Sequence, residues 1–527
     1  MLALFVVAGG ATAFILVRTL TWTHGHLAYT LDDPEIHLAV ARNLVRHGTW
    51  GVSPGVYESA SSSPLWTLLL APFVWVFGSH SQPVPFVLNL VAAVWIVYRF
   101  SSIPIVAARR DLGGWLLLAL LPIVVLYLPT LAFIGMEHTL HAAITLETLL
   151  VLDALGRDGY TSRRLGILAA LLAVGTATRL EGAFVAAGCV AAFILVFGHR
   201  FVGDVAAQWP PARRVRAATV ATVAGLAPFV AVGAVNLAFG QTFLPNSVVA
   251  KTALSGHTGY LPSFSEFAKR VHADAFVTFC LLVALGYLVA VWSGRAHGHA
   301  PYATAFAVTV FLHFVFADMG WYARYQEYMV TAGAYLILSL AVEHLRLEWR
   351  NVAFAGLAIA IVLMSTPRAA LTRRTALSNS NTYRQSYQIG RFLGQYYDGR
   401  AVAINDLGYS SWFHDGPIVD FVGLGTHEVI DQRENHGGLT SEFLRKLARE
   451  HHIAVIVVFK QWYADVLPRE WVPVAGWDPG QRRVFTLGDM TFYAPDHRSA
   501  EQLRHNLRQF QPELPAGAHP KFLPTRT

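Results

Sequence analysis

Residues 30–66 read TLDDPEIHLAVARNLVRHGTWGVSPGVYESASSSPLW and follow the first hydrophobic stretch of the chain. Two adjacent carboxylates, Asp32 and Asp33, stand near the start, and the residues after them have the spacing of an amphipathic helix lying along the membrane interface. Its apolar face holds Ile36, Ala39, Val40 and Leu44. Acidic residues at a membrane are costly to place there, so they indicate a functional site. We interpret this segment as the catalytic end of a membrane enzyme.

The composition indicates an integral membrane protein. Of the 527 residues, 54% are hydrophobic and only 14% are charged, whereas about 25% are charged in an average soluble chain. The net charge of +7 comes from basic residues in short loops between apolar runs, which the positive-inside rule explains. We therefore expect membrane lipids and no nucleic acid as partners. Cys189 and Cys280 lie inside apolar stretches and predict buried hydrophobic side chains.

Twelve apolar runs are candidates for membrane spans, and several are shorter than the ~20 residues of an untilted span. They cover residues 2–21, 64–78, 84–98, 113–130, 138–156, 165–180, 182–198, 217–238, 275–292, 302–317, 328–342 and 351–366. The first run lacks a small-residue cleavage site, so we expect a retained span.

Loop arginines orient the spans. The arginines at 163–164, 200–216 and 346–350 are predicted to be cytoplasmic. Alternation then puts the N-terminus in the cytoplasm and the polar motifs outside, in residues 131–137, 179–182, 239–274, 318–327 and everything after 366. Between the acidic pair, predicted outside, and Arg109, predicted inside, the chain must cross the membrane an odd number of times, yet only two apolar runs lie there. We therefore expect 11 or 13 crossings of the plasma membrane. The fold class is thus a polytopic α-helical membrane protein of about 11–13 transmembrane helices.

The composition changes after residue 366. We divide the chain into a transmembrane domain, residues 1–366, whose external loop 22–63 carries the acidic pair, and a soluble extracytoplasmic α/β domain, residues 367–527. Strands are predicted within 401–406, 417–424, 453–459 and 483–494, and a helix over 440–450. The polar residues that could take part in a site here are Asp406, His414, Asp415 and Asp420, although Asp420 is also placed where it could simply end a strand.

The acidic pair has a structural explanation beside the functional one. Asp33 precedes Pro34 at the start of the predicted helix, where it suits an N-cap. A cap needs one carboxylate, however, and two adjacent like charges disfavour each other. We therefore assign Asp32 and Asp33 to catalysis, with Asp33 as the predicted cap and Asp32 as the preferred base.

Two further acidic motifs lie at span ends. Glu137 and His141 are four residues apart and share a helix face, so together with Asp33 they are candidate ligands of a divalent cation, Mg²⁺ or Mn²⁺. A glutamate in a first helical turn also suits the helix dipole without any metal. Arg179 and Glu181, in TRLEG, could equally form a structural ion pair.

Positive groups on the predicted external face run against the positive-inside bias. The loop 238–252 places Asn246 and Lys251 at the membrane surface, and the loop near 320–328 places Arg324 among aromatic residues. A phosphate group would account for these cations, because Lys and Arg donate charge-assisted hydrogen bonds to its oxygens. Interfacial anchoring is the alternative explanation.

The motif order resembles the GT-C superfamily of membrane glycosyltransferases, and within it the branch of the bacterial terminal arabinofuranosyltransferases. The similar motifs are TLDDPEIHLAVARNL with SSSPLWTLLLAP, GMEHTL, TRLEG, FLPNSVVAK, GWYARY and NDLGYSSWFHDGPIVDFVGL. The chain departs from the family pattern at Pro34 and Glu35, at His37 and at Leu180. These departures concern the choice of sugar rather than the scaffold, so arabinose is not carried over.

The resemblance implies an inverting transfer of one sugar from a polyprenyl-phosphate donor to a hydroxyl of an envelope glycan or lipid, outside the cell. A carboxylate, Asp32 or Asp33, would take the proton from the hydroxyl, and Lys251, Arg179 and Arg324 would stabilise the departing phosphate. The other residues assigned to substrate or donor-phosphate binding are Asn246, Glu137 and His37. No cofactor is required by the resemblance, and a divalent cation is left open.

Two other function classes compete with the enzyme. A transporter or flippase of lipid-linked precursors would have paired, interrupted helices and acidic residues at mid-membrane depth, whereas these acidic residues lie at span ends. A non-catalytic assembly factor would explain the soluble domain, expected to bind an acceptor polymer or to cover the site, but not the ordered external motifs.

Overall fold

The chain forms a bundle of apolar helices followed by an α/β domain. A computed structural model describes residues 2–103, 120–198, 209–254, 262–296, 298–344, 360–361, 363–479 and 488–524. The helices of the first part are α1 Leu2–Trp22, α2 Asp33–His47, α3 Pro64–Phe77, α4 Val84–Ser101, α5 Leu128–Ile134, α6 His138–Arg157, α7 Ser162–Thr178, α8 Gly182–Leu195, α9 Pro211–Ala238, α10 Asn246–Leu254, α11 Phe264–Ala273, α12 Ala275–Trp292, α13 Ala300–Phe316 and α14 Glu327–His344. The helices of the second part are α15 Thr366–Thr382, α16 Gln388–Tyr396, α17 Leu407–Phe413, α18 His427–Asn435, α19 Ser441–Glu450, α20 Lys460–Tyr463 and α21 His497–Phe510.

The helix bounds agree closely with most of the predicted apolar runs. The main difference is at 113–130, where the described part contains a π-turn at Leu121–Val125 and then α5, so the predicted external loop 131–137 is largely helical. Residues 104–119 and 345–359, which contain parts of two predicted spans, lie outside the described residues.

Five described helices are long and apolar enough to cross a membrane. They are α1 from Leu4, α4, α6, α9 and α12, and three shorter apolar helices accompany them. Large apolar side chains such as Trp75 and Val289 are 75% and 70% exposed, as expected for surfaces that face lipid. The chain is therefore a multi-pass membrane protein, while the number of 11 to 13 crossings and their direction stay predictions.

Small residues let the central helices approach each other closely. Helix α8 packs against both α13 and α9. A Cβ added at Gly188 would overlap the backbone of Ala305, and one at Gly225 would overlap the side chain of Ala186. Since lipid supplies no hydrophobic drive for helix association, such close contacts stabilise the bundle through van der Waals packing.

Helix α2 connects the bundle to the second part of the chain. It packs against α3 on one side and α17 on the other, and every residue from Pro34 to Asn43 is buried. The predicted amphipathic helix exists, but it is enclosed by protein rather than exposed along one face. Arg42 donates to the carbonyl oxygen of Trp412 at 2.7 Å, which ties α17 to α2.

The predicted α/β domain is confirmed as a single six-stranded sheet with helices around it. Its strands are β1 Val402–Ile404, β2 Ile418–Asp420, β3 Val455–Phe459, β4 Val472–Trp477, β5 Met490–Ala494 and β6 Pro520–Phe522. The order is β2-β1-β3-β5-β4-β6, with β1 parallel to β2 and β3 and the other pairs antiparallel. Buried apolar side chains fill the strands on both faces.

The domain boundary at residue 366 falls where α15 begins. Helix α15 packs on α1, and Asn379 donates to Thr19 while accepting from Thr30. The first helix of the second part is therefore attached to the bundle, and the boundary itself stays a prediction.

Candidate active site

A cavity of about 680 Å³ lies where the bundle meets the α/β domain. Its volume is typical of small-molecule sites. Four of the predicted site residues line it, namely Asp32, Asp33, His37 and Arg324. The α/β domain contributes Asn405, Asp406, Leu407, Val422, Leu424, Phe459 and Trp462 to the same cavity.

Asp32 is held by the α/β domain. Its Oδ2 accepts a hydrogen bond of 2.8 Å from the backbone N–H of Gly408. Helix α2 begins at Asp33, so Asp32 occupies the N-cap position, and its side chain makes no capping hydrogen bond. The predicted cap at Asp33 is therefore wrong, and the carboxylate of Asp32 is turned toward α17.

Asp406 is the second carboxyl beside Asp32. The two carboxyls lie close enough to affect each other's ionisation, and Asp406 also accepts from Ser386 Oγ at 2.5 Å. The pKa of Asp32 is raised well above its ordinary value, mainly by burial and then by the charges of Asp406 and Asp33. Burial likewise raises the pKa of Asp406. Two interacting carboxyls titrate as a pair rather than independently.

Asp33 is paired with an arginine. Arg324 Nη1 lies 2.6 Å from Asp33 Oδ2, and the guanidinium is almost fully buried. The Coulombic effect of Asp33 offsets desolvation and raises the pKa of Arg324. Before it, Trp321, Tyr322 and Ala323 all have positive φ, a conformation that costs free energy in residues with a Cβ and is concentrated at functional sites. This strained turn directs Arg324 to the acidic pair.

Arg179 and Glu137 lie in a neighbouring buried cluster. Arg179 contacts Glu137 through Nη1 and Glu181 through Nη2, the latter at 2.6 Å. His37 Nε2 lies 3.8 Å from Glu137 Oε2. Arg179 and Glu137 are not among the residues that line the cavity. The geometry of Arg179 therefore matches a structural ion pair, which was the alternative interpretation of TRLEG.

The loop predicted to hold a phosphate is partly helical. Asn246 begins α10 and donates through its amide to Gln241 at 3.2 Å, outside the cavity lining. The side chain of Lys251 lies outside the described residues. Helix α11 instead presents Lys269 to the cavity, and among the described residues this lysine is exposed and forms no hydrogen bond or ion pair. Its only sequence signal is a basic residue on a polar helix in a predicted external loop.

Within the described ranges, no three His, Cys, Asp or Glu side chains are grouped so that they could hold a metal ion. Asp33 and Glu137 each have an arginine partner instead, and His141 packs against the ring of Tyr328. The residues predicted to bind a divalent cation therefore do not come together, and the use of such an ion stays a prediction.

Comparison with solved structures identifies the fold. The chain is similar to the Archaeoglobus fulgidus oligosaccharyltransferase tethered to an acceptor peptide, with 12% identity, 99% of this chain and 76% of that chain covered, and a TM-score of 0.51. Together with the helix bundle and the sheet, this likeness confirms the predicted GT-C-like fold. At this identity it shows the fold alone.

Two further solved structures and one family model also match the chain. The archaeal oligosaccharyltransferase AglB from Archaeoglobus fulgidus, in complex with an inhibitory peptide and a dolichol-phosphate, matches at 12% identity over 98% of this chain and 76% of that chain, with a TM-score of 0.46. ArnT from Cupriavidus metallidurans in the apo state matches at 13% over 93% and 98%, with a TM-score of 0.45. A family described as a domain of unknown function (DUF8728) matches residues 375–493. No curated protein matches the sequence.

Proposed function

We propose that the protein is an inverting glycosyltransferase, which moves a monosaccharide from a polyprenyl-phosphate donor to an acceptor hydroxyl on the extracytoplasmic face of the plasma membrane. The observation that carries the proposal is the cavity in which a carboxyl pair, Asp32 and Asp406, lies beside the buried ion pair of Asp33 and Arg324. This arrangement supplies both charges that the reaction needs, a base for the hydroxyl and a cation for the phosphate.

The acceptor hydroxyl loses its proton as its oxygen attacks the anomeric carbon. Asp32 is the better base of the adjacent pair, because Asp33 is held by Arg324 at 2.6 Å. Asp32 accepts the proton in its ionised form, and its raised pKa, to which burial and the charge of Asp406 contribute, makes it a stronger base than an ordinary carboxylate. General-base assistance of this kind contributes about 10²- to 10⁴-fold in rate.

The bond from the anomeric carbon to the phosphate oxygen breaks in the same step, and the electron pair leaves with the phosphate. Arg324 and Lys269 both line the cavity. Because Lys269 has no acidic partner among the described residues, its charge is available to the departing group. Arg324 thus keeps its predicted role and Lys269 joins it, whereas Arg179 is occupied by Glu137 and Glu181. The role of Lys251 stays a prediction.

The proposed orientation follows from where the polar groups lie. The acidic pair, Glu137 and Arg324 all meet near the start of α6, and the 20 residues of this helix extend about 30 Å away from them. That length matches the hydrocarbon core of a bilayer. With the arginine-rich loops in the cytoplasm, the cavity and the α/β domain face the outside, where an envelope glycan or lipid would serve as acceptor.

The paired variants Asp32→Asn and Asp33→Asn test the assignment in a transfer assay with the purified protein. We expect Asp32→Asn to lower kcat about 10²- to 10⁴-fold. Asp33→Asn should mainly raise the KM for the donor, because Arg324 loses its partner and its position. Full activity of both variants would refute the assignment of the base.

A further inference from the structure

The α/β domain meets the cavity at the place where open α/β sheets bind ligands. Strand β1 pairs with β2 on one side and with β3 on the other, all parallel. The chain therefore runs outward from β1 to β2 and then crosses back to the far side of β1. Ligands bind outside the carboxyl ends of strands at such a switch point. Here Asn405 follows β1, Phe459 ends β3, and both line the cavity.

Asn405 presents an unused hydrogen-bond donor at this point. Its Oδ1 accepts from the backbone N–H of Phe459 at 2.9 Å, which fixes the orientation of the amide. The side chain is only 6% exposed, and its Nδ2 is buried without a hydrogen-bond partner. Burying such a donor costs free energy unless it forms a hydrogen bond. Asn405 lines the cavity, so this nitrogen lies just behind the cavity wall, and a small movement of the amide would bring it to an acceptor atom of a ligand.

Trp462 supplies a flat apolar surface beside the amide. Its side chain lines the cavity and is 46% exposed. The ring of Phe459 supports it from the protein side, with centroids 5.2 Å apart. A large aromatic ring left half exposed on a cavity wall is a ready contact surface for the apolar face of a ligand.

We infer that Asn405 and Trp462 form a carbohydrate subsite, and that it holds the acceptor sugar against the carboxyl pair. A sugar ring has apolar C–H faces and hydroxyls around its edge. Trp462 matches the face, while the Asn405 amide donates to one hydroxyl and the neighbouring Asp406 carboxyl accepts from the next. The role of this sugar as the acceptor rests on the proposed function, but the binding of a sugar at this wall does not.

Saturation-transfer NMR on the full-length protein in detergent micelles tests the subsite. The probes are methyl glycosides of arabinofuranose, mannose, galactose and glucose, together with a serine-containing tripeptide amide as the competing ligand class. Trp462→Ala removes the platform and Trp462→Phe restores a ring. Asn405→Asp keeps the oxygen bonded to Phe459 and removes the donor. Trp75→Ala, on a lipid-facing side of α3, is the matched control, and thermal unfolding checks that each variant is folded.

At least one glycoside should bind the wild type, with affinity about threefold to tenfold weaker in Trp462→Ala and largely restored in Trp462→Phe. Asn405→Asp should weaken it too, and Trp75→Ala should leave it unchanged. Asp32→Asn should bind the glycoside normally while losing transfer, so a failure of the subsite is distinguishable from a failure of the enzyme. Unchanged binding in folded Trp462→Ala, no glycoside bound by the wild type, or binding of the tripeptide instead would overturn the inference.

Discussion

The carboxyl pair predicts how activity depends on pH. The substitution Asp406→Asn removes one of the two interacting carboxyls while keeping the shape of the side chain and an oxygen for Ser386. The negative charge of Asp406 raises the pKa of Asp32. Without this charge, ionising Asp32 costs less free energy, and the pKa of Asp32 falls. Since the base must be deprotonated to act, the acidic limb of the kcat/KM profile should move to lower pH.

The general repulsion between two neighbouring carboxylates bounds the size of the shift. Two unit charges at about 4 Å interact by about 4 kcal/mol at an effective dielectric of 20, and one pKa unit corresponds to about 1.4 kcal/mol. The upper bound is therefore about three pH units. Both carboxyls line the open cavity, where solvent screens the interaction, so we expect a shift of about one unit.

The assay is the initial rate of transfer from pH 4 to 9, compared among the wild type, Asp406→Asn and the control Asp465→Asn. Asp465 is an exposed residue of the same domain that does not line the cavity, so its replacement should leave the profile in place. An acidic limb that stays fixed in Asp406→Asn, or moves to higher pH, would refute the assignment of Asp32 and Asp406 as the proton-accepting pair.

Three further predictions concern the framework of the site. Arg179→Met leaves the buried Glu137 and the partly buried Glu181 without their cation, so we expect about 3–5 kcal/mol of destabilisation in denaturant unfolding; unchanged stability with weakened donor binding would instead make Arg179 a phosphate ligand. Gly408→Ala places a Cβ against the carbonyl oxygen of Asp32 and should abolish transfer, whereas Gly476→Ala, with open space around it, should not. Because Asp33 and Glu137 are held by arginines, we expect EDTA to leave the rate unchanged, whereas a loss restored by Mg²⁺ or Mn²⁺ would show that the divalent cation left open by the sequence is used.

The sequence was sufficient for the helix bundle because apolar periodicity is a local property. Runs such as 138–156 and 275–292 correspond to α6 and α12 within a residue or two. The break before α5 was not predicted, because a π-turn and a short helix both read as one apolar stretch. Strand β6 and helix α21 were missed for a related reason, since a three-residue strand and a highly polar helix give weak signals in a hydropathy pattern.

The site was only half predictable. Asp32, Asp33 and Arg324 stood out because charges at span ends are costly and therefore informative. Asp406 was only one of several polar candidates, because nothing local shows that it lies beside Asp32. The contact that joins the two segments, from the backbone N–H of Gly408 to Asp32, spans 376 positions of the chain. No local pattern reports that α17 packs on α2. The same limit applies to Trp462, because a hydropathy pattern shows neither that its side chain is half exposed nor that a cavity lies beside it.

Arg179 illustrates the opposite difficulty. Its neighbour Glu181 was an evident partner, so a structural ion pair and a phosphate ligand were equally compatible with TRLEG. The decisive contact is with Glu137, 42 positions earlier. Once two carboxylates enclose one guanidinium, its charge is already neutralised locally, and a donor phosphate would have to displace one of them.

The proposed function requires that the protein consume a polyprenyl-phosphate sugar. Its most direct test is to incubate the purified, folded protein with a panel of polyprenyl-phosphate monosaccharides and an envelope extract as acceptor, and to measure which donor disappears. We expect the wild type to consume at least one donor and Asp32→Asn to consume it at least 10²-fold more slowly. If the folded wild type turns over none of them, or if Asp32→Asn matches the wild type, the proposed function is refuted.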